Sequence, residues 1–183
     1  MPARPAPATR PRGFTLLDAV VVCALLGILA ALTAPAFREM GMNARRTTQV
    51  NAMLRALHLA RSSAIRRAVP VVVCKSVDGR QCAPAAASWS AGYIVFANDD
   101  RDSPPQVDDA EEILLAQPRI ERLRVTANRN ALVYWPVTMA GTTASIVFCD
   151  ERGAAAARAV IVSHTGRPRV TDKDASGRAL LCT

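Results

Sequence analysis

Residues 10–37 read RPRGFTLLDAVVVCALLGILAALTAPAF. Arg10, Pro11 and Arg12 give way at Gly13 to an apolar run in which Asp18 is the sole charged residue before Arg38. From Ala19 to Phe37 the chain has 19 residues without a charge, just enough for a helix to cross a hydrocarbon core of roughly 30 Å. Arg4, Arg10 and Arg12 all precede the run, which places the N-terminus on the cytoplasmic side by the positive-inside rule. A carboxylate at the edge of such a segment costs free energy unless something pairs with it. A secretory signal, cut near the small residues of TAPA at 33–36, would give Asp18 no task, and neither would a plain signal anchor.

The hexapeptide GFTLLD at 13–18 resembles the type IV prepilin signature: a short basic leader, a glycine, then Phe-Thr-Leu-Leu and an acid fifth after the cut. The resemblance implies that a prepilin peptidase cleaves between Gly13 and Phe14 and methylates the new amine of Phe14. It implies further that Asp18 serves assembly, by meeting the α-amine of a neighbouring subunit. The usual acid in that family is glutamate, one methylene longer than Asp18. Pro35 falls where pilin-like chains commonly carry a proline, and a proline inside a helix removes one backbone hydrogen bond.

Beyond Arg38 the apolar residues Val50, Met53, Leu54, Leu57, Ala60, Ala64, Ile65 and Ala68 recur at three- and four-residue spacing, with arginines between them. The spacing predicts one helix from Phe14 to about Ala68, stopped by Pro70. Short β-branched or aromatic runs follow at 69–74, 92–97, 112–116, 122–127, 131–135, 145–149, 158–163 and 178–182. The expected class is α+β: a long N-terminal helix, membrane-spanning in its first half, packed on an antiparallel β head. The expected organisation is a leader at 1–13, a membrane or filament-core helix at 14–37, an amphipathic helix at 38–68 and a β head at 69–183.

Five cysteines stand at 23, 74, 82, 149 and 182. The four outside the apolar run suit disulfides in an oxidising compartment. They allow three pairings, of which Cys74 with Cys82 (around Asp78-Gly79) and Cys149 with Cys182 are expected. A zinc site is the other use of such cysteines, but no C-x-x-C or H-x-x-x-H spacing supports it, and no metal or cofactor is expected. The stretch at 98–112 gathers seven acids in an irregular segment that matches no fixed calcium loop and reads as a solvated surface.

His58 and His164 are the only imidazoles, and no G-x-S-x-G, H-E-x-x-H or phosphate-loop pattern occurs, so the sequence does not read as an enzyme. Net charge is +8, and a chain cut after Gly13 keeps +5, a moderate surplus that permits an acidic partner. In HTGRPRVTDKDASGR, 164–178, Arg167 and Arg169 alternate and so project to one side of an extended segment, with Lys173 and Arg178 nearby. Guanidinium forks suit phosphate oxygens.

The layout ARSSAIRRAVPVVVC…DGRQC…W…GYIVFANDD, then FCDERG…RAVIVSHTGRPRV…C, resembles the GspH/FimT class of minor pseudopilins from Gly13 to Cys182. That resemblance implies a structural subunit of a type II secretion pseudopilus, or of a type IV pilus tip or initiation complex. Its partners would be other minor and major pseudopilins, the prepilin peptidase and the bacterial inner membrane, crossed once with the head in the periplasm. DNA is the second partner implied, through Arg167, Arg169, Lys173 and Arg178, in a subunit acting in DNA uptake.

Overall fold

A computed structural model describes residues 15–136 and 141–182; Gly13 and Phe14 lie outside them. The chain divides into two compact units, Met1–Gly41 and Met42–Thr183. One helix, α1 (Leu16–Arg67), begins in the first and ends in the second. Its first part, through Gly41, is exposed along its whole described length, including Leu16 at 82% and Leu32 at 71%. Pro35 sits inside it and leaves the carbonyl of Ala31 without its usual donor.

In the second unit the same helix turns one face inward. Val50, Met53, Ala56, Leu57, Ala60 and Ala64 are buried, close to the spacing expected from the sequence. Two positions differ. Ile65 is 47% exposed, and Ala68 is not helical at all: it takes φ +57° and closes the helix one residue early. Pro70 disfavours helical backbone at Val69, so the chain must turn before it, and an alanine does what glycine usually does at this position.

Eight strands follow: β1 (Val71–Lys75), β2 (Tyr93–Ala97), β3 (Ile113–Gln117), β4 (Arg124–Ala127), β5 (Ala131–Tyr134), β6 (Ala144–Cys149), β7 (Arg158–Val162) and β8 (Pro168–Thr171). They form two antiparallel four-stranded sheets, ordered β3-β2-β1-β5 and β4-β6-β7-β8. The strands of the first sheet's centre are buried on both faces, as their unbroken apolar runs require. Val71, Val73 and Val95 face the cluster that holds the helix, while Val72, Cys74, Ile94 and Phe96 face a second cluster with Cys82 and Val107. The second sheet likewise turns Val125, Ile146, Phe148, Val160 and Val162 inward and Ala159 and Ile161 outward, beneath Leu180.

The C-terminal run at 178–182, expected as a strand, is not one. It keeps only an isolated bridge, Lys173 to Ala179, and is held by burial of Leu180 and by a disulfide from Cys182 to Cys149. The strand next to β7 is instead β8, with Val160 opposite Val170 and Ile161 opposite Arg169. Sheet-edge strands are short and polar and can begin on proline, so β8 lacks the apolar pattern that marks the others. The second disulfide joins Cys74 to Cys82. Beside it Lys75, only 2% exposed, gives its three ammonium protons to Ala85 O (2.7 Å), Ala87 O (2.9 Å) and Asn130 Oδ1 (3.0 Å). Burial nevertheless pulls the Lys75 pKa below that of an ordinary lysine.

A left-handed alanine costs on the order of 1–2 kcal/mol that glycine does not. Ala68→Gly is therefore expected to stabilise the head by about 1 kcal/mol, read as a higher urea midpoint for the full chain in detergent. A lower midpoint would mean that the Ala68 methyl group packs usefully where it stands.

Candidate functional site

Two places carry the residues singled out from the sequence: the start of α1 and the β7–β8 hairpin with the loop beyond it. At the first, Thr15 precedes the helix and Asp18 lies three residues on. Thr15 N and Oγ1 donate to Asp18 Oδ2 at 3.0 and 2.7 Å, and Asp18 N donates to Thr15 Oγ1 at 3.3 Å. This reciprocal pair is a capping box, in which two orphan donors of the first turn are satisfied by side chains. Asp18 thus already has one structural task within its own chain. The pattern Thr-x-x-Asp before an apolar run is the signal that could have shown it. Farther along, Thr33 Oγ1 lies 3.0 Å from Leu29 O and 3.3 Å from Ala30 O, inside an otherwise apolar stretch.

At the second place, Ser163 N donates to Arg167 O (3.2 Å) and Gly166 N to Ser163 O (2.8 Å), closing the turn between β7 and β8. Gly166 has φ +70°, and a Cβ there would lie 3.0 Å from Cε1 of buried Tyr134 and 3.3 Å from Gly141 N. The glycine is needed on both counts, backbone sign and space. It delivers Arg167 to the start of the edge strand, with Arg169 two residues on and so on the same side. Opposite Arg169 stands Ile161, which faces away from the helix, so this side is the outer face of the second sheet.

Arg167 and Arg169 are both exposed, and neither has an ion-pair partner among the described residues. Lys173 is exposed just past β8. Arg178 differs, because its Nε donates to Asp174 Oδ2 at 2.8 Å. Asp174 also caps its own loop through the backbone N–H groups of Ser176 and Arg178, and those bonds, Arg178's foremost, lower its pKa. The structure thus gathers all four basic residues in one strand and loop but leaves Arg178 partly neutralised. His164 is exposed in the same turn, and His58 is exposed on α1. Among the described residues no group of three or more His, Cys, Asp or Glu side chains could hold a metal ion.

A further network of buried charges has no signature in the residue pattern. Arg46 and Asp150 meet at 4.0 Å with side chains 9% and 4% exposed. Arg152 closes on Asp150 through Nε (3.0 Å) and Nη2 (2.6 Å), and its hydrogen bonds hold that carboxyl below the usual range. Arg46 also donates to Ala156 O and to Asn43 Oδ1, the latter at 2.9 Å. This network fixes the β6–β7 connection against the helix.

Compared with known proteins, residues 49–166 match the family model of GspH, a type II transport protein. The chain is similar in structure to the type IV minor pilin FimU of Pseudomonas aeruginosa strain PAO1: 16% identity, TM-score 0.51, covering 79% of this chain and 96% of that one. The minor pseudopilin EpsH from the Type 2 Secretion System of Vibrio cholerae gives 13% identity and a TM-score of 0.49, over 69% of this chain and 96% of that one. No curated protein matches the chain. At such identities a structural likeness is one of fold. The helix start and the four C-terminal basic residues lie outside the matched span.

Gly166→Ala is expected to cost about 2 kcal/mol, from the left-handed backbone and the crowding against Tyr134. The check is the urea midpoint of the full chain; an unchanged midpoint would show that the turn relaxes freely.

Proposed function

We propose, from the premise that this chain belongs to the GspH family of minor pseudopilins, that it works as a structural filament subunit. The observation that carries the reading is the bare apolar helix of the first unit. Leu16, Leu25, Leu26, Ile28, Leu29 and Leu32 are each more than half exposed, an area that water alone does not sustain. A lipid bilayer before assembly, and the helices of other minor and major pseudopilins after it, would supply the missing apolar contacts. On this reading residues 1–13 are a leader removed by a prepilin peptidase between Gly13 and Phe14, and 14–37 anchor the chain in the inner membrane. Residues 38–68 and the head, 69–183, then lie in the periplasm.

Asp18 takes part through charge. Its carboxylate lies in the first turn of an apolar helix, where an unpaired anion is expensive, and the α-amine of a neighbouring subunit would relieve that cost in one axial register. The Thr15 hydrogen bonds use one of its oxygens, Oδ2. The role so described is mechanical, with the head as the surface that other subunits or cargo meet. Processing is tested by co-expression with a prepilin peptidase and N-terminal sequencing. The chain should begin at Phe14, and Gly13→Ala should keep its full length; an unshortened wild-type chain would overturn the reading.

The exposed, unpaired Arg167 and Arg169 favour a second reading, a subunit that also contacts DNA during uptake, with Lys173 beside them. Such contacts address phosphates, so affinity should fall steeply with salt and be indifferent to base sequence. Arg167→Gln with Arg169→Gln is expected to weaken duplex binding at low salt about tenfold or more, measured by fluorescence anisotropy on the full chain in detergent. Equal affinity in the double variant would remove this hairpin from the account.

A further inference from the structure

One strongly charged surface lies apart from both places described so far. The connection between β3 and β4, 118–123, and that between β6 and β7, 150–157, meet beside the first residues of the second unit. An open groove of about 910 Å³ runs along them, lined by Arg119, Arg122 and Arg124 together with Glu121 and Glu151. A smaller one, about 360 Å³, shares Arg122, Leu123, Asp150 and Glu151 and adds Met42 and Arg45 of the helix. Arg45, Arg119, Arg122 and Arg124 are all exposed, and among the described residues none of them has an ion-pair partner.

The acids present do not cancel this charge. Asp150, which lines both grooves, is already shared by Arg46 and Arg152, so that partly buried trio carries a net positive charge. Burial, then the like charges of Arg158 and Arg152, make Arg46 hold its proton less tightly than an ordinary arginine, while Asp150 opposes the shift. Only Glu121 and Glu151 remain to oppose four unpaired guanidiniums. Arg122 moreover stands at φ +57°, a backbone conformation in which glycine or asparagine would be cheaper.

Position in the chain decides which anion this surface would meet. Arg45 follows Phe37, the end of the uncharged segment, by eight residues. At helical rise the covalent chain keeps it within about 12 Å of that end. We propose that Arg45, Arg119, Arg122 and Arg124 form a docking surface for the phosphate headgroups of anionic phospholipid, engaged while the subunit still resides in the bilayer. The inference rests on the reading that 14–37 span the membrane. Each arginine near an anionic surface strengthens binding about fivefold, the effect fading within a Debye length of the headgroups.

The test is native mass spectrometry of the full chain in mild detergent, with phosphatidylglycerol or phosphatidylcholine added at equal concentration. Wild type should retain phosphatidylglycerol preferentially. The triple variant Arg119→Gln, Arg122→Gln, Arg124→Gln should lose that preference about tenfold or more, and Glu121→Gln with Glu151→Gln should increase it. All five side chains are exposed; if the triple variant fails to fold, the acid variants alone decide, and no gain from them overturns the proposal. Equal retention of the two lipids by wild type overturns it. So does a surface that binds duplex DNA through these arginines without preferring phosphatidylglycerol. Carbonate extraction of membranes separates the two failures: a chain that washes out refutes the anchor, whereas one that stays yet shows no lipid preference refutes only this surface.

Discussion

Met53, Leu57 and Ala60 have no exposed surface, and they belong to one apolar cluster with Val73 of the first sheet and Ile146 and Val160 of the second. Each sheet has an inner face of valine, isoleucine and aromatic side chains that must leave water, and the helix from Met42 to Arg67 gives both a common partner. The remaining features of the head follow from that shared cover. The outer face of the first sheet needs its own lid, supplied by the segments around Cys82 and Val107; that of the second is closed by Leu180 and Cys182. The segments of Cys82 and Cys182 are tied down by disulfides, which suits segments that have no ladder of backbone bonds to hold them.

Polar groups inside the head follow the same economy. Lys75 is buried because its three protons find three oxygens, two of them carbonyls of the irregular segment that follows the Cys74–Cys82 loop. Asp150 is buried because Arg152 and Arg46 both reach it. Replacing such groups by apolar ones can leave stability unchanged, but removing one partner leaves a charge stranded. Their value is in fixing particular connections: the segment after Cys82 in one case, the β6–β7 connection in the other.

The two units answer different solvents. The second buries its apolar residues in its own interior and exposes arginine. The first does the reverse: its described apolar side chains are exposed, and Asp18 sits in the capping box at the start of its helix. On the proposed reading such a chain is a component, whose first unit would be completed among lipids or other helices. The arginines sort by the same logic. Some are spent on internal carboxylates, as Arg152 and Arg178 are, and others are left unpaired at the surface, where phosphate is the natural complement.

Local chemistry alone determined much of this. The uncharged run to Phe37, the helical spacing from Val50 to Ala64, seven of the eight strands and the two disulfides were legible, because periodicity, covalent reach and cysteine spacing are properties of a single line of residues. The capping of Asp18 by Thr15 is likewise carried by a four-residue pattern, Thr-x-x-Asp before an apolar run. What the sequence could not decide was which distant groups would meet. β8 took the place beside β7 because a tight glycine turn brings it there, while the more apolar run at 178–182 was drawn instead to cover the sheet. Arg46 found Asp150, and Arg45 came beside Arg122, from segments far apart in the chain. Edge-strand choice and ion pairing depend on proximity in space, and proximity is fixed only once the apolar cluster has closed.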